Sequence, residues 1–398
     1  MAPRILHVDL DAFFVEVCRQ RHPELRNVEL LVVGGRPEQR GVVQSASYGA
    51  RRFGIRSGMP IAQAVRLCPG ATFFQGSFVH YREASRRVRA VLARHAPAVV
   101  MASLDEAYLD FSGTERLYPV SLLPAAERIR DDIRRETGLD ASIGIGSNRM
   151  IAKLASDCAK PRGLMEVRPG WEEGFVAGLE LRALPGIGPK TADRLARLGL
   201  TLAAQVQQMP EEHLARLVGG YARELKWRAH GRGSAVLCAD RLPRSVSRET
   251  TLARDTSDAA YLECLLALFV GRVAAELRAE GLVARTVVVK LRHGDFRTVT
   301  RRTTLSQPTD LDAELLAPAR ALFRTAFAEA RRRRQAVRLL GVAATGLSEA
   351  APADLFEPAE RIRLRELTAA VDRVRGKYGF DAVRPAGTLS LKRPGGPR

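Results

Sequence analysis

The sequence predicts a multidomain α+β protein, and three stretches carry that reading. An apolar run at 98–104 stops at Asp105-Glu106 and resumes as Tyr108-Leu109-Asp110-Phe111, an antiparallel hairpin with two acids at its bend. From about residue 170 to 232 the pattern is wholly helical, in short pieces. From 244 to 346 it reads strand, helix, strand, strand, helix, strand, the β-α-β-β-α-β order of a split βαβ unit. An early hairpin among mixed elements suits α+β better than a doubly wound sheet.

Taken in order, residues 5–10 form an apolar strand leading into Asp9 and Asp11, and 30–33 (Leu-Leu-Val-Val) reads as a buried strand before Gly34-Gly35. A small segment with Gly, Pro and basic residues throughout fills 41–77. Tyr81, Ala84, Val88, Val91 and Leu92 give 80–95 helical spacing. A helix at 124–137, a strand at 141–145 and a helix from about 148 to 157 follow. Gly231-Arg232-Gly233-Ser234 opens a linker. Beyond it come helix 256–281, strands 284–292 and 296–304, helix 310–330 and strand 336–345. The tail carries a helix at 358–375 and ends in a Pro/Gly stretch with the composition of disordered chain. No internal repeat is visible.

Composition narrows the partner. The 398 residues hold 63 Lys and Arg against 44 Asp and Glu, a net charge of +19 that calls for a polyanion, either nucleic acid or an anionic membrane. Only seven of the 63 are Lys, and this Arg bias by itself reflects no more than GC-rich coding. No apolar run reaches the roughly 20 residues of a membrane span, and the N-terminus lacks the layout of a signal peptide. Five scattered cysteines (18, 68, 158, 238, 264) without a Cys-x-x-Cys pair suit reduced thiols in a cytoplasmic protein, not zinc or disulfides. With no His-x-x-x-His spacing either, any metal is expected on carboxylates.

Asp9 and Asp11, two apart on a strand, share a face, and Asp105-Glu106 end a buried run. Acids in such settings need a cation. An Arg network would serve. So would Mg²⁺, which takes hard oxygen ligands while leaving positions open for phosphate and water, as two-metal phosphoryl transfer requires.

Four strings in order decide between these: His-Val-Asp-Leu-Asp-Ala-Phe-Phe (7–14), Ala-Ser-Tyr-Gly-Ala-Arg-Arg-Phe-Gly (46–54), Ser-Leu-Asp-Glu-Ala-Tyr-Leu-Asp (103–110) and Ala-Lys-Pro-Arg-Gly (159–163). Together they resemble the Y-family translesion DNA polymerases, nearest the DNA polymerase IV branch, over roughly residues 4–346. The resemblance implies a right-hand polymerase: palm at 1–10 and 78–168, fingers at 11–77, a helical thumb at 169–232, a linker at 233–243, a little finger at 244–348 and a tail at 349–398. It implies two Mg²⁺ on Asp9, Asp105, Glu106 and the Leu10 carbonyl, with Asp11 a neighbour. Ser45, where the family often has Thr, Tyr48, Arg51 and Lys160 are implied to bind the triphosphate, whereas Arg52 reads as a surface residue. Phe14 is implied to be the steric gate against the ribose 2′-hydroxyl, with Phe13 in the core. Cys18 departs from the family's Glu and reads as packing. The expected partners are primer-template DNA and dNTP, with no membrane, and the chain is expected to act as a cytoplasmic monomer without proofreading. A catalytically inactive DNA-binding homologue is the alternative; a nucleotide cyclase or nuclease on a similar palm is a more remote one.

Two further surfaces read as DNA-binding. Leu184-Pro185-Gly186-Ile187-Gly188-Pro189-Lys190 opens a helix after a tight turn, leaving free N–H groups at a positive helix end, and resembles a helix-hairpin-helix. Gly186, Gly188 and Lys190 are its contacts. In the last module Lys290, Arg292, Arg297, Arg301 and Arg302 make a basic two-stranded ribbon. The run Arg331–Arg334 reads equally well as a solubilising helix end. Finally, Pro352-Ala353-Asp354-Leu355-Phe356 resembles a bacterial sliding-clamp peptide lacking its initial Gln, so Leu355 and Phe356 are either clamp anchors or a staple onto the protein's own surface.

Overall fold

The computed structural model describes residues 3–237, 242–350 and 358–388. The chain divides into two compact units, Met1–Ala239 and Asp240–Arg398.

The first unit begins with β1 (Ile5–Leu10), α1 (Phe13–Arg21), β2 (Leu31–Val33), β3 (Ser45–Ala46), α2 (Tyr48–Arg51), α3 (Ile61–Leu67) and β4 (Thr72–Phe74). It continues through α4 (Phe78–Leu92), β5 (Ala98–Met101), β6 (Glu106–Asp110), α5 (Leu123–Thr137), β7 (Ala141–Gly146), α6 (Arg149–Ala159) and β8 (Leu164–Glu166). The helices α7 (Glu172–Ala177), α8 (Pro189–Arg197), α9 (Ala203–Gln208), α10 (Glu211–Val218) and α11 (Ala222–Ala229) complete it.

The main sheet has the order β5-β6-β1-β7-β8, with β1 central and antiparallel to both neighbours. Every β1 residue is buried, because helices cover both faces. Leu6, Val8 and Leu10 point into a core shared with Tyr81 and Val88 of α4 and Ile129 and Ile133 of α5. Alternation turns Ile5, His7 and Asp9 the other way, toward α6, where Ile5 and Tyr108 meet Ala152. Glycine permits the close approach of α6: a Cβ on Gly144 would lie 2.1 Å from the Ala152 carbonyl oxygen. A smaller sheet, β3-β2-β4, has its own core around Val32, Ile55 and Ile61. The short helices α7–α11 pack around Leu195, Val206, Leu214 and Leu225.

The second unit runs β9 (Ser245–Thr256), α12 (Ala259–Ala279), β10 (Leu282–His293), β11 (Thr298–Thr309), α13 (Asp312–Arg332), β12 (Val337–Glu349) and α14 (Ala359–Tyr378). Its sheet order, β11-β10-β12-β9, is antiparallel throughout, so each β-α-β pair is split by one intervening strand. α12 and α13 cover one face, with Val287, Val289 and Leu291 beneath them. α14 docks onto those helices: Arg278 of α12 bridges Asp312 of α13 and Asp372 of α14 at 2.9 and 2.6 Å.

Several boundaries differ from the sequence reading. The strand expected to give way to a helix at 256 runs to Thr256, and Asp258 caps α12 by accepting from the Tyr261 N–H. β11 starts at Thr298 because Phe296 takes a φ of 65° at the hairpin turn, and it continues to Thr309 through Pro308, which an edge strand tolerates. β5 stops at Met101, three residues before the end of the apolar run, where the chain bends. The tail helix extends to Tyr378.

Candidate active site

β1 and β6 lie in register with Asp9 opposite Glu106, and the bend before β6 brings Asp105 beside them, its carbonyl accepting from the Leu10 N–H at 3.0 Å. Asp9, Leu10, Asp105 and Glu106 all line one pocket of about 440 Å³, together with Phe14, Ser45, Tyr48, Arg51 and Lys160. Every residue expected at the metal or the nucleotide thus borders a single cavity between the main sheet and the smaller one.

Each acid has its own partner. Asp9, only 6% exposed, accepts from the Lys160 ammonium at 2.6 Å. Burial raises the Asp9 carboxyl to about 6, against the opposing pull of Lys160. Glu106 accepts from Lys153 at 2.6 Å, and its other oxygen faces the His7 Nε2 at 3.6 Å. His7 and Lys153 together hold Glu106 down to about 2 against burial. Burial pushes His7 itself down, and its Nδ1 pairs with the Ser156 hydroxyl at 2.7 Å. Asp105 is held by the Ser103 hydroxyl at 2.5 Å, and the same oxygen accepts from the Glu106 N–H at 3.0 Å, fixing the bend. Among the described residues no three His, Cys, Asp or Glu side chains converge tightly enough to cage an ion. The acids surround the cavity with each carboxylate drawn to its own neighbour. As hard oxygen donors on one wall, they and the Leu10 carbonyl still fit Mg²⁺ by chemistry.

Asp11 has a different task. The chain leaves the strand at Ala12, in left-handed conformation with φ 47°. The Asp11 carboxylate then accepts from the Tyr48 hydroxyl at 2.8 Å, the Ser142 hydroxyl at 3.0 Å and the Arg162 N–H at 2.9 Å. With its oxygens occupied this way it joins α2 to the main sheet. Tyr48 consequently donates to Asp11, and burial with that acid pushes its phenol above the ordinary range. Arg51 stacks over the Tyr48 ring at 4.9 Å, its Nε donating to the Ala46 carbonyl at 2.9 Å. Ser47 caps α2 by accepting from the Ala50 N–H, which sets both side chains on one face.

Lys153, Ser103, Gln44, Arg56 and Ser57 were missed by sequence reasoning; all but Lys153 and Ser103 line the cavity directly. Lys153 had a signal: it stands seven residues before Lys160, on the helix that leads into it, in a chain with only seven lysines. Lys160 sits just past the end of α6, extended because Pro161 follows.

Gly186 adopts φ 90°, buried Ile187 anchors the turn, and α8 starts with no side-chain cap, leaving its first N–H groups unclaimed by a capping side chain. Arg228 of α11 donates to the Pro185 carbonyl and braces this turn. In the second unit one expectation needs correction. Arg301 and Arg302 are adjacent on β11 and so point to opposite faces; Arg301 forms a two-pronged pair with Glu329 of α13 at 2.9 and 2.8 Å. It lies on the helix side, away from the face that holds Lys290, Arg292 and Arg302. Lys290 is also partnered: Gly341, between them in register, lets it reach Glu249 of β9 at 2.8 Å. Arg297 is exposed near the hairpin turn. The clamp-like segment with Leu355 and Phe356 lies outside the described residues.

The chain is similar to known proteins over nearly all of its length. The impB/mucB/samB family model matches residues 8–157, and the impB/mucB/samB family C-terminal domain matches residues 243–355. The DNA polymerase IV of Dehalococcoides mccartyi strain CBDB1 is 40% identical over 389 residues, 98% of both chains. That of Caulobacter vibrioides is 37% identical over 95% of this chain and 92% of its own. Among solved structures, a Y-family DNA polymerase chimera of Dbh and Dpo4 superposes with a TM-score of 0.75 at 25% identity, covering 86% of this chain and 98% of that one. An insertion ternary complex of Dbh DNA polymerase gives 0.59 at 25% identity with the same coverage.

Proposed function

The chain belongs to the Y-family DNA polymerases, the impB/mucB/samB family, and from that premise we propose how its own residues carry out template-directed DNA synthesis. It is a DNA-directed DNA polymerase of the translesion type. The observation that carries the residue assignment is the single cavity bordered by Asp9, Asp105, Glu106, Phe14, Tyr48, Arg51 and Lys160.

Polymerases of this family depend on metal ions. Asp9, Asp105, Glu106 and the Leu10 carbonyl would hold two Mg²⁺, which when bound supply Lewis-acid activation and charge neutralisation for nucleotidyl transfer. The primer 3′-hydroxyl attacks the α-phosphate of a dNTP and pyrophosphate leaves. Arg51 and Lys160 neutralise the triphosphate, Ser45 orients it together with Tyr48 once the Tyr48 hydroxyl turns from Asp11, and Phe14 closes the space beside the sugar. Positioning and electrostatics supply the rate.

In this reading the sheet around β1 with its flanking helices is the palm (1–10 and 78–168), 11–77 the fingers, 169–232 the thumb, 233–243 the linker, 244–348 the little finger and 349–398 the tail. Primer-template DNA lies against the α8 turn (Gly186, Gly188, Lys190) and the sheet face with Lys290, Arg292 and Arg302, Arg297 adding to its edge. The enzyme works in the cytoplasm as a monomer, engaging the sliding clamp through Leu355 and Phe356. Among the described residues no helix is long and apolar enough to cross a membrane. Nothing in the site favours the inactive alternative, since every proposed catalytic side chain is present.

Primer extension on undamaged and lesion-bearing templates with Mg²⁺ tests the reading. Full-length product on both, with a mismatched primer terminus left uncut, is expected. DNA binding without extension would support the inactive alternative.

The DNA surface gives a second expectation. Converting Lys290 and Arg292 to Ala should make log affinity against log salt shallower by about 1–2, as counterion release falls. Arg301→Ala should leave that slope unchanged, because Arg301 lies on the helix-covered face, paired with Glu329 of α13, whereas Lys290, though paired with Glu249, lies with Arg292 on the opposite face. A slope that responds to Arg301 and ignores Lys290 and Arg292 would reverse the assignment of faces.

A further inference from the structure

A carboxylate as buried as Asp9 stays ionised only beside a cation. Lys160 fills that place, its ammonium bridging Asp9 at 2.6 Å and Asp157 at 2.8 Å. Lys153 does the same for Glu106. The two lysines differ in what lies around them. Lys160 borders the cavity with Tyr48 and Arg51, while Lys153 does not. Asp157, the second partner of Lys160, is 44% exposed, so the ammonium has a solvent-facing way out that does not strand it. The side chain leaves from the extended residue just beyond the end of α6 and is itself about a quarter exposed.

We propose that Lys160 is an exchangeable counter-ion: it competes with a divalent cation for Asp9 and, when displaced, is taken up by the triphosphate of the incoming nucleotide. The inference rests on reading the cavity as the dNTP site. It joins two events that are otherwise independent. A divalent ion binding alone must displace Lys160 into solvent. An ion arriving with a nucleotide offers the displaced ammonium a new polyanionic partner. The enzyme would therefore bind free metal weakly and metal with nucleotide strongly, and Lys160 would oppose the first while supporting the second.

The test is a pair of affinities expected to move in opposite directions. Mn²⁺ alone is titrated into the full chain without nucleotide, at about pH 7.5 and again at about pH 8.5, so that protonation of Asp9 in a variant lacking the lysine shows as a pH-dependence, and free Mn²⁺ is read by electron paramagnetic resonance. Lys160→Met should bind Mn²⁺ roughly 5–30-fold more tightly than the parent, because a competing charge is gone. Its KM for dNTP should rise at least about tenfold as a charged phosphate contact is lost. Lys160→Arg, which keeps the charge but not the shape, should fall between the parent and Lys160→Met in both values, and Lys160→Gln repeats the test should the Met variant fold poorly. Mn²⁺ binding no tighter in Lys160→Met than in the parent overturns the exchange. Tighter Mn²⁺ with an unmoved KM overturns the hand-off to the triphosphate. Were the cavity not the nucleotide site at all, Arg51→Ala would also leave KM unmoved, which separates that failure from failure of the exchange.

Discussion

Replacing Asp105 with Ala should lower nucleotide addition by at least ~10³-fold, more than ~4 kcal/mol of transition-state stabilisation, with primer-template affinity nearly intact. Asp105 is the cleanest of the three acids to remove. Truncating Glu106 would also orphan the partly buried ammonium of Lys153, and truncating Asp9 would leave Lys160 to Asp157 alone, so either change alters the charge balance of the site as well as its ligands. Asp105 is held only by the Ser103 hydroxyl, which can turn to water. Loss of activity in this variant therefore reports on chemistry. Single-turnover incorporation beside a binding titration makes the distinction, and extension within tenfold of the parent would refute the ligand assignment.

Shortening Phe14 to Ala should reduce the ratio of kcat/KM for dNTP over rNTP by roughly 10–100-fold, the scale of a steric clash in a rigid pocket. The structure separates the two neighbouring rings. Both touch the cavity, but Phe13 is 1% exposed and packed in the core, whereas Phe14 is half-buried and is the ring with surface free to meet a sugar. Phe14 is backed by the buried Tyr81, edge to face with centroids 4.7 Å apart, and by Phe13 at 5.3 Å. A ring so supported cannot recede from a 2′-hydroxyl. No catalytic group is lost in the variant, so deoxynucleotide incorporation should be largely spared. An unmoved ratio in a folded variant would place the gate elsewhere.

The four strings of the sequence come together because three of them sit where elements end: 7–14 at the exit of β1, 103–110 at the entry of β6, and 159–163 at the end of α6. Strand alternation and the Asp-Glu break showed acids at strand ends, and the resemblance carried by the strings was needed to gather Asp9, Asp105 and Glu106 on one wall. What escaped were the counter-charges. Glu249 and Glu329 come from elements distant in sequence, so the ribbon's apparent excess of bases was overcounted. The adjacency of Arg301 and Arg302 already required opposite faces, a parity the sequence displays. Asp11 was recognised as a neighbour, yet its link to Tyr48 depends on the left-handed turn at Ala12, which an alanine does not advertise. The early helix start at 256 ignored Asp258, a capping residue placed just before the apolar run.

The central claim is that Asp9, Asp105 and Glu106 together hold the ions that drive transfer. The most direct measurement counts Mn²⁺ bound per chain in a complex with a dideoxy-terminated primer-template and the next correct nucleotide in non-hydrolysable form. Two ions on the parent chain and fewer on Asp105→Ala is the predicted result; two ions retained in the variant would contradict it.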